Sequence, residues 1–560
     1  MGGCPHILSG SFRPLSLQQT AFTLSTTIIP AMLRTQLYAD PDNIFVHDAI
    51  LASCRKHPEK TALVDTSCGR RISYAEYGET VERLARGLVA AGLKPGEVIA
   101  IFLCNCWEFC AAYHAATLAG AIPTLLNPSY REREVRHQVG NSGASLLITD
   151  GINLAGINTS GLPNLRRVFC TRQRGAGTEL FSELLKPVTA VLPEADRDSA
   201  ETLAALPYSS GTTGLPKGVM LSHRNLIANV YQLLGPHASV FNSEDNLLCF
   251  LPLYHIYGLN VILNPLLILG ATIVLMPRFG VHQVTSLIVE ESITTMPTVP
   301  PALNALCQAA EAGQFPKNHN VRWAKSGAAP LSPDLARRFT ALTGILVCQG
   351  YGMTEASPVT HVGYLEPELY RPDSIGHPVA QTDCRVIAQA ELISAPNVTE
   401  AAAGEPGELV MRGPQFTRGY WNDAHATAAV LRDGWYWSGD IVTRDAEGFY
   451  RVVDRRKEMI KYKGFPVAPA EVEAVLLEHP AVRECGVVGR PDAAAGEIPV
   501  AFVALRDGFA TGRKMEEELC GFVADRLTSY KQPREVRFVQ AVPKTASGKI
   551  LRRELRALIR

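Results

Sequence analysis

The sequence predicts an α/β protein followed by a smaller α+β unit. Three features carry that expectation. Short apolar strands alternate with amphipathic helices through the first 350 or so residues, the texture turns to polar alternating segments beyond about residue 400, and a charged run sets off the last hundred residues. Strands that alternate with helices form mostly parallel sheets covered on both faces. A chain of 560 residues exceeds what one hydrophobic core supports, so roughly three to four structural units merged into fewer domains are expected.

Taken in order, the first 39 residues hold no Asp or Glu, two Arg and many Ser and Thr, a composition with a faint organelle-transit character that reads foremost as a flexible extension. A helix is announced at Ser73, where Ser73 and Glu76 form a capping box, Tyr77, Val81, Leu84 and Leu88 repeat on one face, and Gly92 ends the pattern. Strands follow at "GEVIAIFL", "ASLLITD" and "GATIVLMP". Further on, Ser332 caps a helix that Pro333 opens, and Ile345 to Cys348 form the next strand. Segments such as "GELVMRG" mark the polar alternation, and "DRRKEMIKYKG" (454–464) reads as a linker. Beyond it come a helix from Pro469, strands at "CGVVG" and "VAFVAL", a helix around Met515 to Thr528 and a basic end. An α+β domain of about 100 residues fits the usual size range.

Composition narrows the function. Lys plus Arg equals Asp plus Glu at 54 each, so no global field draws the chain to nucleic acid or an anionic membrane, and small molecules are the expected partners. Thirteen cysteines without framework spacing suggest reduced thiols and a cytoplasmic compartment. The cluster Cys104, Cys106 and Cys110 lies in an apolar run and reads as core before it reads as a metal site. The stretch from His255 to Met276 is long enough to span a membrane, but Asn260, Asn264 and Pro265 interrupt it, so buried α/β core is the better reading.

Chemistry concentrates first at "YSSGTTGLPKGVMLSHRNL", Tyr208 to Leu226. A Walker loop needs Gly-Lys followed by Ser or Thr, whereas Pro216 and Gly218 flank Lys217 here, which excludes the ordinary kinase or GTPase reading. Gly211, Gly214 and Gly218 let the backbone turn sharply, Ser209, Ser210, Thr212 and Thr213 offer donors to phosphate oxygens, and Lys217 adds a point charge. A plain Ser/Thr/Gly surface turn is the competing reading.

The segment resembles the phosphate loop of the AMP-forming acyl-CoA synthetases. The same family order continues through "PLYHIYGL", "SGAAPLSPDL", "QGYGMTEASPV", "GELVMRG", "GWYWSGD", "VDRRKEMIKYKGFPVAPAEVE" and "PKTASGKILRR", from about residue 45 to the end, with the flavour of the 4-coumarate:CoA ligase branch. The resemblance implies a large adenylation domain over 40–453 that includes a small β-barrel-like subdomain, a hinge at 454–459 and a mobile lid domain over 460–560. It implies a two-step reaction using ATP, Mg²⁺ and coenzyme A, in which a carboxylic acid becomes an acyl-adenylate and then a thioester. A free carboxylate is a poor acylating agent, so the protein's task is to position reactants and neutralise charge, and no side-chain nucleophile is required.

By the same resemblance, Thr212, Thr213 and Lys217 hold the β- and γ-phosphates, while Thr354 and Glu355 meet the α-phosphate and the metal, since Mg²⁺ takes one or two carboxylates plus phosphate oxygens. Tyr351, bracketed by Gln349, Gly350 and Gly352, stacks on adenine with Gly327, Ala328 and Ala329 along its edge, and Asp440 with Arg455 takes the ribose hydroxyls. Lys549 reaches the carboxylate and α-phosphate during adenylation, and Lys457 matches the hinge. Lys461, Lys463 and Gly464 border the pantetheine tunnel, and His255 gates it. Tyr257, Val261, Lys325, Gly350, Gly352, Pro358 and Val359 line the acid pocket, in which Lys325 pairs with a distal polar group of the acid or snorkels away from a medium-chain tail. Pro466 stands where the resemblance leads one to expect Gln, removing an amide donor. The acid is read as aromatic, hydroxycinnamate-like, or medium-chain fatty. Two alternatives stand beside this: an adenylating enzyme that passes its acyl group to a carrier protein, and a non-catalytic membrane-associated or scaffold protein.

Overall fold

The computed structural model describes residues 43–559 apart from 174, 176, 194–197, 210–215, 236–240, 389–398, 464, 493 and 546–547. The expectations for the extension 1–39 and for Ser210, Gly211, Thr212, Thr213, Gly214 and Gly464 therefore lie outside the described residues.

Two large sheets form the body. One has nine strands in the spatial order His377–Pro378, Val359–Val362, Leu346–Gly352, Trp323–Ser326, Thr295–Thr298, Asn246–Cys249, Thr272–Leu275, Thr61–Asp65 and Arg70–Ser73. The six from Leu346–Gly352 to Thr61–Asp65 run parallel, and the strands at either edge pair antiparallel. The other is a five-stranded, all-parallel sheet built around Val98–Phe102. Parallel strands are buried on both faces, which is why Val98–Phe102, Leu146–Thr149 and Thr272–Leu275 are continuous apolar runs with every residue buried. The helix Tyr74–Ala90 turns the expected stripe inward: Tyr77, Val81, Leu84 and Leu88 are fully buried.

A third, five-stranded antiparallel sheet joins Asp383–Ala388, Gly407–Arg412, Trp435–Arg444, Leu431–Arg432 and Tyr450–Arg455 around Val386, Leu409, Met411, Tyr436 and Val442. The C-terminal α+β unit has its own sheet, centred on the hairpin Val482–Asp492 and Gly496–Leu505. Helices Pro469–Leu477 and Arg513–Ala524 bury Val472, Leu476, Leu519 and Val523 in one cluster on it, and Arg552–Ala557 contributes Leu555 to another. Asp40–Arg560 gather into one compact unit.

Several local expectations differ from the structure. Ser73 accepts from the Glu76 amide, but the Glu76 carboxylate is taken by Arg70 at 2.5 Å, so the capping box is half made. Ser332 makes no side-chain cap. The charged run 454–464 is no open linker. Asp454 and Arg455 end the strand Tyr450–Arg455, a short turn follows, and Ile460–Tyr462 begins the next sheet. Asp454 is buried and its carboxylate accepts from the amides of Arg455 and Ala470. The run from His255 contains a π-helical turn at Gly258–Leu263, then Asn264–Leu269 and the strand Thr272–Leu275, and among the described residues no helix is long and apolar enough to cross a membrane.

Candidate active site

Ligands of open α/β sheets sit beyond the carboxyl ends of the strands. Here that edge carries Gly327 to Ala329 after Trp323–Ser326, the turn Thr354–Ala356 after Leu346–Gly352, and the segment to His255 after Asn246–Cys249. Ala328 and Ser357 adopt left-handed backbone conformations, φ +65° and +67°, a strain that non-glycine residues hold mainly where surrounding structure fixes them. Gly352 has no alternative residue: a Cβ would lie 2.0 Å from the Pro358 carbonyl oxygen.

Two carboxylates anchor the site. Asp440 is paired in register with Arg455 on the neighbouring strand, with Oδ1 3.3 Å from the guanidinium and Oδ2 accepting from the Tyr351 hydroxyl at 2.5 Å. Burial and the Asp440 carboxylate push the Tyr351 hydroxyl well above its ordinary range, so it stays a proton donor. Glu355 is buried in the short turn after the strand, and its Oε1 accepts from Tyr420 at 2.8 Å and from Ser209 at 3.2 Å. Lys217 pairs in register with Ser209 and forms an ion pair with Asp423 at 2.9 Å, with its ammonium 5.6 Å from the Tyr420 ring.

The small unit delivers Lys549 to this group. Burial and the Arg455 charge lower its pKa to about 8, against the opposing pull of Asp440 and Glu355. The turn before it rests on the large unit: Gly548 has φ +83°, and a Cβ there would lie 2.6 Å from the Pro301 ring. Behind the turn, Arg552 makes a bidentate pair with Glu473 at 2.8 Å, and Arg556 pairs with Glu458. His255 is lowered to about 4 by burial and by the Lys549 charge, so its ring is neutral at pH 7. Its Nδ1 accepts from the Tyr257 amide at 3.2 Å, which leaves the proton on Nε2.

Of the residues expected to line the acid pocket, Tyr257 borders a small cavity, while Val261, Lys325 and Val359 meet Tyr257, Gly350 meets Lys325, and Gly352 meets Pro358. A cavity of about 10 Å³, room for roughly one water, is lined by Leu251, Pro252, His255, Tyr257, Gly258, Val299 and Ala328. Tyr257 donates to the Lys325 carbonyl at 3.0 Å, and Val261 and Val359 pack with it in a cluster with Leu233, Val362 and Val379. Lys325 is 5% exposed, its side chain lies against Gly350, and burial lowers its pKa. Its ammonium stands 5.7 Å from the Trp323 ring, with no hydrogen-bond or ion-pair partner among the described residues.

Other expected residues fall elsewhere. The Gln349 side chain is engaged by the Pro372 carbonyl at 2.7 Å and the Leu331 amide. Lys457, Lys461 and Lys463 are exposed on the turn and hairpin of the small unit, Lys463 with φ +49°. Tyr420 and Asp423 escape a reading of the sequence, because an aromatic and an acid in "RGYWND" carry no signal until folding sets them beside Glu355 and Lys217. Among the described residues no three His, Cys, Asp or Glu side chains are grouped to hold a metal, and Cys106 and Cys110 are buried in the core.

Comparison with known proteins gives the family. The profile of the AMP-binding enzyme family matches residues 50–421, and that of the AMP-binding enzyme C-terminal domain matches residues 471–549. The chain is 37% identical over 529 residues to 4-coumarate–CoA ligase 2 of Solanum tuberosum, covering 92% of this chain and 94% of that one. It superposes on an anthranilate CoA ligase in complex with anthranoyl-AMP with a TM-score of 0.83 at 25% identity, over 93% of this chain and 98% of that one. For MatB of Rhodopseudomonas palustris, 27% identical, the TM-score is 0.81 with the ATP-bound structure and 0.71 with the apo structure, over 92% of this chain and 99% of each. On the strength of both profile matches and of identity sustained along nearly its whole length, the chain belongs to the AMP-binding enzyme family.

Proposed function

We propose that the protein is an ATP-dependent carboxylic acid:CoA ligase that forms its product by way of an acyl-adenylate. The observation that carries the reading is Lys549, held by the small unit in the field of Asp440, Glu355 and Arg455 on the large one. The relatives named as CoA ligases support it. In the first step the acid's carboxylate oxygen attacks the α-phosphorus of ATP and the bond to the β-phosphate breaks, releasing pyrophosphate. In the second the coenzyme A sulfur attacks the acyl carbon, AMP leaves, and the thiol proton goes to solvent.

In this reading Lys549 neutralises charge between carboxylate and α-phosphate, Asp440 accepts from the ribose hydroxyls, and Tyr351 lies against the base. Thr354 and the loop 209–217 hold the phosphates, with Lys217 exchanging Asp423 for a phosphate oxygen. Glu355, a single buried carboxylate steadied by Tyr420 and Ser209, suits Mg²⁺ carried mainly by substrate phosphates, and no protein cage is needed. When bound, the ion offsets phosphate charge. Neutral His255 offers its Nε2 proton to the carboxylate at the tunnel mouth. The small unit, 460–560, closes for adenylation and swings about 454–459 to bring Lys461 and Lys463 to the thiol. The higher TM-score with ATP-bound than with apo MatB favours the adenylating arrangement for the present structure. The acid is aromatic or medium-chain fatty, and the burial of Lys325 favours pairing with a polar group at the acid's distal end over snorkelling away from a tail.

The test is incubation with Mg-ATP, coenzyme A and a panel of hydroxycinnamates, benzoates and fatty acids, following AMP and acyl-CoA together. Matching amounts of the two are expected. Acid-dependent pyrophosphate exchange without acyl-CoA would instead direct the acyl group to a carrier protein, and no AMP with any acid would sink the reading.

A further inference from the structure

The helix His223–Leu234 breaks a rule of burial. Asn225, Asn229 and Gln232, spaced four and three residues apart, form one polar face of the helix, and that face is turned inward, with exposures of 7%, 0% and 4%. Buried amides must find partners, and these find main chain far away in sequence. The Asn225 side chain donates to the carbonyls of Pro414 and Phe416 at 2.8 and 2.9 Å. Gln232 donates to the Ala380 carbonyl at 2.7 Å. Asn229 binds Val359 twice, accepting from its amide at 3.0 Å and donating to its carbonyl at 2.8 Å, and also donates to Gln232 Oε1 on its own helix at 2.9 Å. This double bond to the backbone lies where the strand ladder slips between Tyr351 and Gly352, opposite Val359.

A second buried amide holds the residue before the proline. Asn260, fully buried, donates to the Ser357 carbonyl at 2.6 Å and to the Leu226 carbonyl at 3.0 Å. Its own oxygen accepts from Asn264 at 2.8 Å, and the Asn264 oxygen faces His114 Nε2 at 3.0 Å. That contact requires the proton on Nε2, so His114 Nδ1 accepts from the Tyr77 hydroxyl at 2.7 Å. Burial lowers His114 to about 4, so the ring is neutral and the donors all point one way, from Tyr77 to the Ser357 carbonyl.

We infer that Asn229 and Asn260 are positioning residues for the acid: together they fix the backbone of Ser357 and Val359 on either side of Pro358, and with it the wall of the acid pocket that Pro358 and Val359 provide in that reading. The inference rests on the acid-ligase reading and adds to it a specificity-determining pair behind the lining. Amides that only filled the core would satisfy whichever carbonyls lay near. These bind both polar groups of a wall residue, and the carbonyl beside Pro358.

The experiment compares the wild-type protein with Asn229→Leu, Asn260→Leu and the milder Asn229→Ser on the acid panel, measuring KM for acid and for ATP separately and the thermal midpoint. Loss of the clamp is expected to raise KM for the best acid about tenfold or more, leave KM for ATP within about twofold, and reorder the acids. If the ranking and the acid-to-ATP KM ratio stay unchanged while only the midpoint or the overall rate falls, the pair is structural and the inference fails. Should the leucine variants not fold, Asn229→Ser decides by the same ratio. A wild-type protein that makes no AMP with any acid overturns the ligase reading, and the clamp with it.

Discussion

Lys549 is the residue whose charge state is tied most directly to the proposed chemistry. With its pKa lowered to about 8, the ammonium is present below that pH and lost as pH rises through it. Because kcat/KM reports groups of the free enzyme, kcat/KM for ATP in the adenylation step should fall above pH 8 with an apparent pKa near that value. Lys549→Arg, slower but unable to titrate in this range, should show a flat profile; a wild-type profile level to pH 10 would remove the ammonium from the mechanism. Tyr420 acts one contact further out. Its hydroxyl supplies the shorter of the two hydrogen bonds to Glu355 Oε1. Tyr420→Phe is expected to raise the Mg²⁺ concentration for half-maximal adenylation about tenfold and to leave KM for the acid alone, read by titrating metal at saturating ATP. Of the residues that touch Asp440 and Glu355, Tyr351, Arg455 and Ser209 were legible in the sequence. Tyr420, Asp423 and Asn229 were not, because their roles depend on partners 65, 206 and 130 positions away.

At the level of elements, apolar runs and helix periodicity placed the parallel sheets and their covering helices, since each strand buried on both faces announces itself without reference to its neighbours. Pairing between distant strands leaves no such local mark. The run from Asp454 has the composition of a loop, yet Arg455 is a ladder partner of Asp440, and the buried Asp454 carboxylate anchors the start of the helix Pro469–Leu477 through the Ala470 amide. The same blindness covers the Arg552–Glu473 pair, which ties the last helix to that helix across 79 positions, with both side chains at least 85% buried. A buried pair broken on one side leaves an uncompensated charge, at a cost of about 3–5 kcal/mol. Arg552→Ala should therefore unfold the small unit early in a denaturant titration followed by far-UV circular dichroism. The double change Arg552→Met with Glu473→Leu, which removes both charges and keeps volume, should recover most of the loss. Equal loss in the single and double variants would mean that the pair's charges do not matter.

The whole molecule poses the question of motion, because one lysine set and one hairpin on the same small unit are assigned to successive steps. Lys549 is at the site in the present arrangement, while Lys461 and Lys463 stand exposed. Both sets can serve one substrate only if the small unit turns between steps. The contact that would have to break is on hand: the turn before Lys549 rests on Pro301, and a Cβ built on Gly548 lies 3.9 Å from the Pro301 Cβ. That separation falls in the range a disulfide bridges; the Pro301 ring carbons that would crowd a side chain at 548 are the atoms that Pro301→Cys removes, and the left-handed backbone at 548, φ +83°, adds a strain of about 1–2 kcal/mol that the cross-link has to hold. The double variant Pro301→Cys with Gly548→Cys, oxidised, is expected to form acyl-adenylate and pyrophosphate in a single turnover but to pass the acyl group to coenzyme A at least a hundredfold more slowly, and reduction should restore the second step. The wild-type protein under the same oxidant controls for its own thiols, of which Cys68 is exposed. An oxidised variant that makes acyl-CoA at the wild-type rate would mean that the thiol reaches the adenylate with the two units held together, and the hairpin lysines would then need another role.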